Sequence, residues 1–258
     1  MAKTVLEYVQ VTLNAMDSDN VDSIADTDES QQVADHLEEV YYELMEREDW
    51  PHLHQPINLT AAVDTTLPTK FTISESIRYI DWLRYNRATD ATEFEGHDVC
   101  YLRPEEFVRR FATGKDDSNK QLVTVDSKIR FYVSNNRMPQ YWTSFDEDGT
   151  IYMDAFDSSI ETTLTSDRLD GWGVVIPSFS VTDTFTPDLP RHMEQLLQAE
   201  LNRQSFQHFK QQVSEVDEKK ALRQLAQQRR RNSKVRRESD KYYTNRFGRK
   251  SPGAGFRR

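Results

Sequence analysis

Val33-Ala34-Asp35-His36-Leu37-Glu38-Glu39-Val40-Tyr41-Tyr42-Glu43-Leu44, closed at Trp50-Pro51 and followed by Ile57, Leu59, Ala61 and Val63, is the stretch on which the fold turns. Before the proline, apolar residues recur three and four apart, the spacing of one helix face. After it they recur at every second residue, the spacing of one face of a strand. The residue before a proline is driven toward extended backbone, so a helix should stop at Trp50. The chain therefore reads as helical first and β-rich next.

Upstream, Val5, Tyr8, Val9 and Leu13 predict a helix over residues 4–16, ended by the turn formers Asp17-Ser18-Asp19-Asn20. The second helix is expected over 26–48, opened by Asp26 with Glu29 as its capping-box partner. Two amphipathic helices with a short acidic connection make an αα-hairpin, and neither buries its stripe alone. Downstream, β-type runs occupy 76–85, 97–102, 122–125 and 128–134, interrupted by a helix at 104–112 with Pro104 in its first turn and Gly114 past its end. Tyr141-Trp142-Thr143-Ser144-Phe145 and the run 151–156 flank Asp146-Glu147-Asp148-Gly149 and read as a hairpin. A Gly-rich strand pair is expected at 171–177 and 178–181. The segment Pro187-Asp188-Leu189-Pro190 then starts a long helix over 190–213, with Leu189, Met193, Leu196, Leu197 and Leu201 on its stripe.

The expected class is α+β: a helical bundle, made of the N-terminal αα-hairpin and the long C-terminal helix, with an inserted, mostly antiparallel β-region and an extended basic C-terminal arm. The expected divisions are 1–54, 55–186, 187–231 and 232–258. Apolar periodicity fades by about residue 231, and the tip, residues 241–250, is expected to be extended.

At 36% hydrophobic and 29% charged, the 258 residues carry a modest core and much solvated or partner-covered surface. The single cysteine, Cys100, forms no intramolecular disulfide and is expected as a small buried hydrophobe. The N-terminus lacks the unbroken apolar run of a signal peptide, and no run approaches the roughly 18 apolar residues of a membrane helix. The expectation is a soluble protein made in a cytoplasm, without a membrane partner.

Charge is segregated along the chain. Residues 219–258 hold 15 Lys and Arg against Glu238 and Asp240, a net of +13, so the overall −10 leaves −23 on the preceding body. A basic arm on an acidic body seeks an anionic partner: nucleic acid, a membrane surface or an acidic protein face. The arm divides in two. Arg229, Arg230, Arg231, Lys234, Arg236 and Arg237 form a basic stretch, and Tyr242, Tyr243, Arg246, Phe247, Arg249 and Lys250 interleave aromatics with cations. Three readings stand for it: a phosphate-gripping nucleic-acid arm, a protein-docking arm with an aromatic anchor, and a solvated tail. The aromatic cluster favours docking.

Catalytic and metal patterns are poor. Asp17-Ser18-Asp19 begins like a calcium loop, but Val21 stands where an oxygen ligand belongs, Asp22 where glycine belongs and Asp28 where glutamate belongs. Asp146-Glu147-Asp148-Gly149 reads as a plain turn. His52 and His54 are two apart and share a strand face if extended, with no third ligand nearby. GxSxG, Walker A and GxGxxG are missing, and only eight glycines are present. No catalytic residue, metal or cofactor is expected.

Two stretches carry a resemblance. Leu6-Glu7-Tyr8-Val9-Gln10, Met16-Asp17-Ser18-Asp19, Val21-Asp22-Ser23-Ile24, Glu29-Ser30-Gln31-Gln32-Val33-Ala34, Tyr41-Tyr42-Glu43-Leu44 and Asp49-Trp50-Pro51 form the first. Pro139-Gln140-Tyr141-Trp142-Thr143-Ser144-Phe145-Asp146, Asp154-Ala155-Phe156-Asp157-Ser158-Ser159 and the span 177–190 form the second. Together they resemble bacteriophage head-to-tail adaptors, the tail tubular protein A-like connectors of short-tailed phages. The resemblance implies a non-enzymatic virion protein at the head-tail junction, a ring of identical subunits, expected as a dodecamer. Its implied partners are the portal protein, tail or nozzle proteins, and genomic DNA passing through the lumen, with the C-terminal arm docked on the portal. The alternatives are a nucleic-acid-binding protein using its basic tail and another ring protein of the phage tail.

Overall fold

A computed structural model describes residues 2–62, 64–88, 93–146, 149–161, 163–165, 168–210 and 215–246, with only the helical backbone path given for 234–246. Val63, Glu147, Asp148 and Val213, which the sequence reading used, lie outside them. The chain divides into two compact units, one of Met1–His52 with Phe179–Arg258 and one of Leu53–Ser178.

The first unit is helical. Its α1, Val5–Ala15, starts in a capping box in which the Glu7 N–H donates to Thr4 Oγ1 and the Thr4 N–H to Glu7 Oε2. Val5, Tyr8, Val9, Thr12 and Leu13 form its buried face. A second helix, α2, spans Asp28–Arg47 and is capped by Thr27 with Ser30, two residues from the expected start. Asp26 is used otherwise: its carboxylate accepts the N–H groups of Asp22 and Ser23 and closes the turn before the helix. At the far end the helix stops at Arg47 with Glu48 extended, and the Trp50 indole N–H donates to the carbonyl of Leu44 at 2.8 Å, folding the chain back ahead of Pro51.

The expected single C-terminal helix is two. Here α4 covers Arg191–Phe209 and α5 covers Glu215–Arg246. Leu196 through Asn202 are all buried, so α4 is enclosed along its middle and packs with α1, α2 and α5. Its buried polar groups are paired: the Gln198 amide donates to Thr12 Oγ1 and to Asn202 Oδ1, and Glu200 receives Arg47 and Arg203. The strand expected at 178–181 is coil, and from Phe179 it belongs to this unit, where the Phe179 N–H donates to the Tyr42 hydroxyl and its ring packs on Tyr41.

The second unit overturns the expected class. In place of a small β-insertion in a helical bundle, it holds an eight-stranded sheet ordered β1-β10-β4-β5-β8-β9-β3-β2. The strands are β1 His54–Ile57, β2 Leu59–Ala61, β3 Lys70–Ile73, β4 Ile77–Asn86, β5 Gly96–Tyr101, β8 Tyr141–Thr143, β9 Thr150–Met153 and β10 Leu169–Val175. The two edge strands, β1 and β2, are consecutive in the chain with only Asn58 between them. A sheet whose opposite edges are covalent neighbours must curl until they nearly meet, so this one is a nearly closed barrel. The molecule is a mixed α/β protein with five α-helices among the described residues.

Two local devices support that curl. The strand β5 pairs antiparallel with β4 at Gly96–Val99 and then parallel with β8 at Cys100 and Tyr101, handing one half of the sheet to the other. In β10 the register slips between Trp172 and Gly173, and a Cβ on neighbouring Gly171 would stand 2.4 Å from Ile57 Cγ1. Only glycine lets β1 lie this close. The expected hairpin is present as β8 and β9, with Gly149 at φ 83. A separate hairpin pairs β6, Lys120–Val125, with β7, Ile129–Ser134, through Asp126 and Ser127 at φ 50 and 59, the sense of a type I′ turn. The helix α3, Pro104–Phe111, buries Phe107 against Phe131 and Phe145. Cys100, expected inside, is exposed because its strand puts Val99 inward.

Candidate interaction surface

The helix α5 is amphipathic over 215–233, where its side chains are described. Ala221, Leu225, Gln228 and Asn232 recur at four and three residues and are buried. Two of the four are polar and serve as ties: Gln228 Nε2 donates to the carbonyl of His192 at 2.7 Å, and Asn232 Nδ2 to the carbonyl of Asp49 at 2.9 Å. Arg229 reaches the end of α2, its Nε donating to Glu48 Oε1 at 2.6 Å. Arg230 and Arg231 are exposed.

Beyond these ties the backbone stays helical through Lys234, Arg236, Arg237, Tyr242, Tyr243 and Arg246, whose side chains lie outside the description. Phe247, Arg249 and Lys250 lie outside the described residues. An extended arm from residue 232 is therefore corrected to a helix as far as Arg246. The apolar stripe had run out by then, but Arg, Lys, Gln and Glu are good helix formers and no Gly or Pro intervenes before Gly248. A stripe marks what a helix packs on; propensity decides whether it continues.

From Gln228, level with the first turn of α4, to Arg246 the helix runs about 27 Å at 1.5 Å per residue. That length passes the N-terminal end of α4 and carries eight Lys and Arg from 229 to 246 against Glu238 and Asp240. In the same unit, Asp28, Asp35, Glu39, Glu43 and Glu46 are exposed along α2. The charge segregation of the sequence is thus also a segregation between helices.

The other candidates resolve into structural roles. Around the acidic loop after α1, Ser18 Oγ donates to Glu29, and Asp183 accepts from Ser23 Oγ and the Ile24 N–H. His52 sits in the 3-10 turn Pro51–Leu53, where burial pushes its pKa down to about 4 despite the opposing charge of Asp188. His54 opens β1 and faces Asp81, Nδ1 to Oδ2 2.8 Å. The two histidines share no ligand set, and among the described residues no group of three or more His, Cys, Asp or Glu is placed to hold a metal. No described helix is long and apolar enough to cross a membrane. Tyr85, buried, and Glu161, half-buried, lie in the β-unit beside Arg168 and escaped the sequence reading because nothing local marks them.

Compared with protein-family models and with curated proteins, the chain matches none.

Proposed function

We propose that the protein is a non-catalytic structural subunit of a ring at the head-to-tail junction of a bacteriophage virion, joining portal to tail around the DNA exit channel. The observation that carries this reading is α5, a basic helix tied to an acidic helical unit at Gln228 and Asn232 and continuing about 21 Å beyond Asn232 to Arg246. A helix that outruns the body it packs on, and bears the opposite charge, is built to engage a separate body. The resemblance of 6–51 and 139–190 to phage adaptors supports the same reading. So does the net −23 of the first 218 residues, which keeps DNA phosphates from adhering to a lumen wall.

In this reading the portal receives the α5 overhang and the residues after it, identical copies form the ring, and tail proteins meet another face. The decisive comparison is between the full chain and one truncated after Ser233, which keeps both ties. Both should fold, and only the full chain should cosediment with purified portal rings. Equal cosedimentation removes the docking role. Tight DNA binding by the full chain, with a steep salt dependence and no affinity for portal, replaces the reading with that of a nucleic-acid-binding protein.

A further inference from the structure

The curled sheet of the β-unit is open at one place. Its β5 pairs with β4 over Leu83–Asn86 and with β8 only at Cys100 and Tyr101, so from Ile77 to Trp82 the strand β4 has β10 on one side and no described strand on the other. A cavity of about 690 Å³ lies beside that bare stretch, lined from β4 and from the β8–β9 hairpin. Ile77, Ile80, Ile151 and Trp142 give it apolar walls, and Tyr101 and Arg78, both exposed, stand at its margin. An uncovered strand edge next to an apolar cavity is a surface on which another chain packs.

The opposite end of β4 carries a matching projection. There the Arg87 N–H donates to the Glu95 carbonyl and the Glu95 N–H donates to Asn86 Oδ1, which holds residues 93–95 against the strand end. Phe94 is 59% exposed at this point. Of the two acids beside it, Glu95 is held by Arg87 at 2.8 Å, while Glu93 is exposed and, among the described residues, forms no ion pair; the same is true of Arg78 at the cavity. Ile80 and Asn86 are six residues apart in one strand, about 20 Å at 3.3 Å per residue, so Phe94 cannot reach the cavity of its own chain. An aromatic knob with an acid beside it and an apolar cavity with an arginine beside it thus sit at opposite ends of one rigid element.

We propose that copies of this chain associate head to tail through the β-unit, Phe94 of one copy entering the cavity of the next and Glu93 facing Arg78 across its margin. The inference deepens the ring reading and rests on it, since it names the contact by which identical subunits join. Two different surfaces of the same molecule meet in such a contact, and a contact of that kind closes into a ring or runs on as a filament according to the rotation it imposes. Aromatic and arginine side chains at the centre of an interface carry most of its energy, and opposed charges fix its register.

The test follows the full chain by sedimentation velocity, alone over a concentration series and mixed with purified portal rings. The unaltered chain should form multi-copy species in at least one of the two settings. Phe94→Ala should weaken self-association by about tenfold or more. Arg78→Glu and Glu93→Arg should each weaken it about tenfold, because each sets like charges across the contact. The double variant should regain the original association, and so should a 1:1 mixture of the two single variants, which opposes unlike charges at every contact of an alternating array. All three positions are exposed, so the urea midpoints should stay those of the unaltered chain. The proposal is overturned if Phe94→Ala associates as the unaltered chain does, if the charge reversals have no effect, or if they weaken association and neither the double variant nor the mixture restores it. When any of these occurs while the unaltered chain assembles, the contact alone fails and the ring reading stands. A chain that stays monomeric in both settings removes the ring reading and the contact with it.

Discussion

Gln228 on α5 donates its side-chain amide to the backbone carbonyl of His192 in the first turn of α4, 2.7 Å away. This bond sets how far α5 slides along α4, and so how much basic helix extends past it. Gln228→Ala removes one hydrogen bond to a buried carbonyl and should cost about 1 kcal/mol in urea unfolding. Amide exchange should accelerate from residue 225 onward, while the β-unit keeps its protection. Unchanged exchange in α5 would mean that the tie does not hold the helix.

His52 makes stability depend on pH. Its pKa falls from 6.5 to about 4 on folding, chiefly because burial disfavours the charged ring, so the unfolded chain binds the extra proton between those values. Stability from this residue is full above pH 6.5 and declines as pH falls toward 4. His52→Gln should flatten the slope in that window, read as the difference between urea midpoints at pH 7 and pH 4.5. An unaltered slope would place the dependence elsewhere.

Arg47 bonds the buried carboxylate of Glu200 at 2.7 Å, and Arg203 bonds its other oxygen at 3.0 Å. Burial alone would raise the Glu200 pKa, but the two arginines outweigh it and hold the value below 4.5. Arg47→Ala should destabilise the helical unit by about 2 kcal/mol, because a carboxylate 5% exposed loses one of its two cations. The loss should be largest above pH 4.5 and shrink as acid neutralises Glu200 in both proteins. A loss that stays constant down to pH 3 would show that Arg47 acts by packing.

Gly171 and Phe107 test the β-unit. Gly171→Ala drives a methyl group into Ile57 and should cost about 1–3 kcal/mol, with exchange protection lost first in β1 and β10. Phe107 is fully buried among Phe111, Phe131 and Phe145, so Phe107→Ala should cost about 3–5 kcal/mol. Tryptophan emission from Trp82, Trp142 and Trp172 should report both transitions, since all three lie in this unit. A midpoint unchanged by Phe107→Ala would contradict the packing.

What could be read along the chain is what neighbouring residues settle among themselves. The stripes of α1 and α2, the stop at Trp50-Pro51, the hairpin around Gly149 and the opposed charges of body and arm all depend on spacing within a few turns or a few strand residues. The cap of α2 lies one residue beyond the expected Asp26, because Asp26 and Thr27 both suit a cap and only the preceding turn engages Asp26. The reach of α5 was missed because loss of an apolar stripe was read as loss of helix. In the arm, most of the named residues fall in that helix.

The barrel was not readable in this way. His54–Ile57 pairs with Gly171–Val174, more than a hundred residues on, and alternation in either strand names no partner. Eight short strands carry the same local pattern whether they form a small insertion or a curled sheet. The choice is made by side chains that meet only after folding, such as Ile57 over Gly171. Tertiary contact likewise put Cys100 outside, buried His52 without a partner for Nε2, and gathered His52, His192 and Arg231 around one cavity. Desolvation and close packing act between residues distant in the chain, so local spacing settled the elements and long-range contact settled their neighbours.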